Sequence, residues 1–158
     1  MLRSMLMVAG LAAAVMFGGQ ANAQAIGETI NLEQAKKADA AAEAEAKKNN
    51  WAMAITVVGP TGDLVYFAKM DGTQYGSIPI SQHKARAAAL FKRPTKAFED
   101  RVAAGGAGIA SMTLDGMIAS AGGVPIVVGG KMVGAIGMSG ASGAQDEQCA
   151  MAGAAAVN

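Results

Sequence analysis

Apolar residues in this chain fall into short runs punctuated by glycine, with stretches of helix-spaced small residues between them. The sharpest pattern lies near the C-terminus. There Val124-Pro125-Ile126-Val127-Val128 and Met132-Val133-Gly134-Ala135-Ile136-Gly137-Met138 flank the pair Gly129-Gly130. Both glycines can take the positive φ that a two-residue primed turn requires, so the pattern predicts a β-hairpin. Gly137, Gly140 and Gly143 then lead into a predicted helix over residues 144–153, with Ser142 and Gln145 at capping-box spacing.

The rest of the chain divides in the same way. Asn31 with Gln34 three residues on opens a helix through residue 49, whose narrow face is Leu32, Ala35, Ala38, Ala42 and Ala46. Small side chains on that face imply close packing against a sheet or another helix. Residues 51–58 read as a strand, with Ile55, Val57 and Val58 supplying β-branched character. Gly59-Pro60-Thr61-Gly62-Asp63 is a turn, and residues 64–69 return as the second strand of a hairpin. After Asp71-Gly72-Thr73, residues 81–91 are rich in the helix formers Ala, Lys and Arg. Pro94 ends that helix or starts the next, Thr95 is the expected N-cap of a helix over 96–103, and Gly105-Gly106 stops it. Residues 109–114 are expected as a short strand. Hairpins mixed with helices, without βαβ alternation, predict an α+β domain on an antiparallel sheet.

The N-terminus carries an address pattern. Arg3 is followed by an apolar stretch from Met5 to Gly18, and Ala21-Asn22-Ala23 fits a small-x-small cleavage site. Residues 1–23 are expected to be a signal peptide and 24–158 a single domain, periplasmic or secreted. Removing the leader removes one charge, Arg3, and leaves 12 basic and 12 acidic residues. That balance argues against nucleic acid or an anionic membrane as partner. Nothing after the leader is long and apolar enough to span a bilayer. The lone Cys149 cannot form an intramolecular disulfide. A modest core without staples favours burying more surface in an oligomer.

The hairpin, glycine loop and Gln145-Asp146-Glu147 helix start resemble the C-terminal signature of the GlcG/HbpS-like family of small haem-binding-type proteins. The resemblance continues in Ser81-Gln82-His83-Lys84-Ala85-Arg86-Ala87-Ala88-Ala89-Leu90-Phe91-Lys92-Arg93-Pro94-Thr95-Lys96 and in the Asp71-Gly72 turn, and it covers residues 32–157. It implies a profilin-like sandwich, a central antiparallel β-sheet flanked by α-helices. It also implies homo-oligomerisation, with dimers or higher rings and octamers in some members. Related domains include the one fused to PduO-type corrinoid adenosyltransferases. Members are diverse, so the resemblance implies haem as ligand without fixing an activity.

His83 is the only histidine, on a helical face with Ile80, Ala87 and Leu90. Two readings stand: a ligand to haem iron, or an imidazole hydrogen-bonded at a core edge or subunit interface. Lys84 and Arg86 suit haem propionates, and a solvated helix face explains them equally. For the second axial position the candidates are Met70, as a thioether, and Thr113, since a threonine oxygen serves in some relatives. Most of the seven methionines after the leader read as core filling. No Cys-x-x-Cys-His occurs, which excludes covalent c-type haem. The glycine loop before the last helix offers backbone N–H groups to a small carboxylate. A binder of a small organic acid, accessory to hydroxy-acid or alcohol oxidation, is therefore the alternative. Asp146 and Glu147 suit the helix dipole, Cys149 reads as a buried hydrophobe, and no catalytic constellation is present.

Overall fold

The computed structural model describes residues 27–157. The expected signal peptide, residues 1–23, lies outside the described residues. Helix α1 spans Leu32–Lys48 and is followed by strands β1, Ala54–Val58, and β2, Leu64–Lys69. Helices α2, Ser77–Phe91, and α3, Lys96–Ala103, come next, then a 3₁₀ helix over Gly106–Thr113. Strands β3, Gly123–Val128, and β4, Lys131–Ser139, and helix α4, Gly143–Ala155, complete the order. The strands form one sheet in the order β2-β1-β4-β3, every neighbouring pair antiparallel. Helices cover both of its faces, the α+β architecture expected.

Pleating divides the sheet residues between two cores. Ile55, Val57, Ile136 and Met138 face α1 and α4, packing on Ala38, Ala42, Cys149 and Ala150. Val58 and Ala135 face the other way, onto Ala85, Ala88 and Ala89 of α2. Both capping boxes form. Asn31 Oδ1 accepts from the Gln34 N–H at 2.9 Å, and the Ser142 hydroxyl accepts from the Gln145 N–H at 3.4 Å. The Gly129-Gly130 turn closes the β3–β4 hairpin with φ of 56° and 76°.

Three local expectations are corrected. Helix α2 begins at Ser77, four residues before the Ala-rich stretch, because Pro79 lies in the first turn, where its missing N–H breaks no helical bond. Thr95 does not cap α3 through its side chain; its hydroxyl accepts from the Gly123 N–H at 2.9 Å and so ties the α2–α3 joint to β3. Residues 109–114 form no strand. The segment closes on itself in 3₁₀ geometry, with the Gly108 N–H on the Gly105 carbonyl and the Leu114 N–H on that of Ser111. These local bonds leave no ladder for a sheet partner.

Candidate functional site

The site is built on α2. Its inner face lies almost on the backbone of the sheet. A Cβ at Gly137 would sit 2.2 Å from the Ser81 carbonyl oxygen, and one at Gly123 would sit 2.3 Å from that of Lys84. Neither Gly137, Gly140 nor Gly143 has a positive φ. The glycine at 137 is therefore required by close approach of helix to strand, not by the strand-to-helix turn that the spacing suggests. Polar groups on this inner face are matched. The Ser81 hydroxyl bonds that of Thr56 at 2.8 Å, and the Ser139 hydroxyl donates to that of Ser77 at 3.2 Å.

Lys84 belongs to the same inner face. It is 1% exposed, and its Nζ donates to Asp146 Oδ2 at 2.7 Å. The other carboxylate oxygen accepts from the Ala141 N–H at 3.0 Å. Burial pushes the Asp146 carboxyl above the ordinary carboxylate range, while the Lys84 ammonium and the backbone amides pull it back. The pair pins α2 to the first turn of α4.

The outer face of α2 carries Ile80, His83, Arg86 and Leu90, all exposed. Two concavities meet there and share His83 and Arg86. The smaller, about 410 Å³, runs past Thr56, Asp63, Leu64, Pro79 and Gln82. The larger, about 570 Å³, is walled by α2 on one side and by residues 112–117 on the other. Both volumes fall within the range of about 300–1,000 Å³ that small-molecule sites occupy. Met112 at 62% and Leu114 at 44% exposure keep large apolar surface open on the second wall. Among the described residues, Arg86 makes no ion pair within 4 Å. The cation shared by both concavities is thus free for an anion.

The sequence candidates separate accordingly. His83, Arg86 and Thr113 line one cavity, the larger one. Lys84 is turned inward and held by Asp146, two helical positions from Arg86 but on the opposite side. Met70 packs on the core that contains Ile55 and Val57, across the sheet from His83. Alternation along β2 sends its side chain there, since Ala68 is paired with Ile55. Met112, Leu114 and Met117 were not legible as site residues. Met112 and Leu114 fall in the expected strand 109–114 and Met117 in the loop after it, whereas the structure has a 3₁₀ helix over Gly106–Thr113 and brings all three into the cavity beside α2. The partnership of Lys84 with Asp146, 62 residues apart, likewise has no local signal.

The N-terminus of α4 offers little to an external anion. Asp146 takes the Ala141 N–H, and the side chains of Ser142 and Gln145 take each other's. Cys149 is fully buried, and burial with nearby Glu45 and Asp146 pushes its thiol up to about 11, so it stays protonated and inert. It lies in the core opposite α2, which removes it from any pairing with His83. Asp39 on α1 is buried with one carboxylate oxygen unpartnered among the described residues, and burial beside Glu43 raises its pKa to about 6. No helix among the described residues is long and apolar enough to cross a membrane.

Comparison with known proteins adds a family to this geometry. Residues 30–155 match the family model described as haem degrading protein HbpS-like. Protein GlcG of Escherichia coli K12 is 41% identical over 110 residues, which are 70% of this chain and 81% of that protein. A double mutant of HbpS from Streptomyces reticuli superposes with a TM-score of 0.76 at 31% identity, covering 97% of this chain and 99% of that one. The crystal structure of a PduOC:heme complex shares the fold, with a TM-score of 0.73 at 23% identity over 82% of this chain and 96% of that one.

Proposed function

Because this chain belongs to the HbpS-like family, we propose that it captures haem non-covalently in the concavity shared by His83, Arg86 and Thr113. One observation carries the reading: the single histidine stands exposed in a cleft of mixed polar and apolar lining, beside an arginine that makes no ion pair among the described residues. The donor set suits the group. A neutral imidazole is a common ligand to haem iron, and a guanidinium matches the fork of a carboxylate. When bound, haem supplies an iron centre and two propionates. The chain then supplies an imidazole nitrogen from His83, a charge-assisted contact from Arg86, and apolar cover from Leu90 and Leu114. Apolar side chains against the ring exclude water from the surface they cover, and burial of that surface favours binding. Lys84 is no part of this site, since its ammonium is consumed by Asp146.

Titrating hemin into the protein and into His83→Ala tests the reading by visible absorption. A saturable Soret band in the wild type that shifts or disappears in His83→Ala supports it. No saturable band in the wild type overturns it. The leader pattern supports an exported, periplasmic or secreted protein, and N-terminal sequencing of the processed protein should begin at Gln24. Exposed Ile80, Leu90 and Met112 around the cleft support self-association into a dimer or larger ring, which light scattering measures.

A second reading rests on the smaller concavity, where Arg86 and Gln82 offer donors of the kind a small organic acid accepts. Thermal shift across millimolar carboxylates separates the two, because only this reading expects stabilisation by acids lacking a large ring.

A further inference from the structure

The two edges of the sheet are finished differently. Beside β3, the Met138 N–H donates to the Gly122 carbonyl at 2.9 Å, so antiparallel alternation turns the backbone groups of Gly123 and Pro125 away from β4. Both are closed to a further strand. Gly123 exchanges two bonds with Thr95, its N–H on the hydroxyl and its carbonyl on the Thr95 N–H, each at 2.9 Å. Pro125 has no N–H to offer. Beside β2, the Met70 N–H donates to the Met53 carbonyl at 3.0 Å, so the same alternation turns Phe67 and Lys69 outward. Neither makes a backbone bond outside the ladder among the described residues, and no proline interrupts the strand. An open edge of this kind is a template for another strand.

The ends of β2 indicate which strand. Asp63 precedes it and Lys69 closes it, both exposed. The Asp63 carboxylate accepts from the Thr61 hydroxyl at 2.6 Å, and Lys69 Nζ donates to the Met70 and Thr73 carbonyls at 3.1 and 3.5 Å. Neither charge makes an ion pair within 4 Å among the described residues. We propose that β2 pairs with β2 of a second copy of this chain, antiparallel about a two-fold axis near the middle of the strand, joining the two four-stranded sheets into one. Antiparallel self-pairing sets the start of each strand against the end of the other. It therefore brings Asp63 to the partner subunit's Lys69 at both ends, where opposite charges across a strand pair attract. Exposed apolar groups lie at the same ends: Leu64 is 58% exposed, and Tyr75 is 83% exposed with its ring centre 5.9 Å from Lys69 Nζ. The pairing also delivers a lysine to the mouth of the smaller concavity, whose lining carries one carboxylate, Asp63. This inference deepens the self-association reading by naming its surface, and it is independent of haem.

The test measures mass by light scattering for the wild type, Asp63→Lys, Lys69→Asp and an equimolar mixture of the two variants. Both positions are exposed, so the variants should fold, and their thermal midpoints check this. The wild type should have the mass of two subunits or more. Each variant alone sets like charges against each other at both ends and should raise the dissociation constant at least about tenfold. The mixture should recover the wild-type mass, because each chain then meets its opposite charge in the other. Single variants that keep the wild-type mass, or a mixture that stays dissociated, overturn the β2 pairing and leave self-association to another surface. A monomeric wild type overturns both.

Discussion

Helix α2 presents two faces made from similar residues that are put to opposite use. On the inner face every polar group has a partner: Ser77 with Ser139, Ser81 with Thr56, Lys84 with Asp146. On the outer face His83 and Arg86 have none among side chains of the described residues, and the apolar groups beside them stay open to solvent. Lys84 and Arg86 are both cations on one helix, separated by about 200° of rotation. The difference teaches that helical phase decides which charge holds the fold together and which is left over for something else. A charge that the fold does not satisfy is the one to examine for function.

The comparison breaks most visibly at Lys84. Lys84→Met leaves the Asp146 carboxylate buried without its cation and should cost about 3–5 kcal/mol in urea denaturation. Replacing both partners, as Lys84→Met with Asp146→Asn, should recover most of that loss, because no uncompensated charge remains and the amide oxygen still accepts the Ala141 N–H. A single variant as stable as wild type would falsify the structural role of the pair.

A second buried carboxylate sharpens the contrast, since Asp39 makes no ion pair within 4 Å among the described residues. Its pKa of about 6 in the fold stands above the ordinary 3.8. The folded state therefore holds the proton more tightly than the unfolded chain. Stability from this group is greatest below the ordinary value and falls as pH rises toward 6. Above that the full cost is in force, up to about 3 kcal/mol. Asp39→Asn should gain stability at pH 7, and the gain should shrink toward zero near pH 4. A gain that is independent of pH would count against this account.

Gly137 tests the closeness of the inner face. Adding a branched side chain in Gly137→Val drives it into the backbone of α2 and should cost about 1–3 kcal/mol or more in the same measurement. Unchanged unfolding would mean that the helix can stand off from the sheet. The smallest stability effect belongs to the outer face. His83→Ala should change stability by less than about 0.5 kcal/mol while abolishing or shifting the hemin spectrum. A large loss of stability in this variant would place His83 with the inner residues and remove the reason to read it as a ligand.

Much of this is legible in the sequence alone. The two hairpins, both capping boxes and the α+β class follow from glycine pairs, cap residues and apolar spacing, which are local signals. His83 and Arg86 stand out by residue type and helical position, but only the family resemblance raised the ligand reading to equal footing with a structural one. What could not be read was phase against the sheet. Lys84 and Arg86 look equivalent until the glycines at 123 and 137 show which side of α2 meets backbone. The wall at 112–117 was hidden for another reason. Ile109-Ala110-Ser111-Met112 has strand-like content, and only the glycines at 105 and 106, with φ of 72° and 55°, divert it into a 3₁₀ turn. Met70 lies across the sheet from His83 because a pleat assigns alternate residues to opposite faces, and its face depends on the register with β1.

The near-contact of α2 with the sheet has a consequence for how such a protein can change its ligand. One wall of the cleft is a fixed platform, because Gly137 and Gly123 leave the helix no room to shift inward. The opposite wall is bracketed by Gly105 and Gly116, with φ of 72° and 75°, and a Cβ at Gly105 would meet nothing within 4 Å. Gly108, whose Cβ would sit 2.0 Å from the Arg101 carbonyl oxygen, and the buried Ser111 hold the segment in place, so it is the exposed positions around them, such as Ile109, Met112 and Thr113, that can change without touching the platform. Exchange of the exposed side chains at 109, 112 and 113 should therefore alter what the cleft accepts, while α2 keeps its place on the sheet.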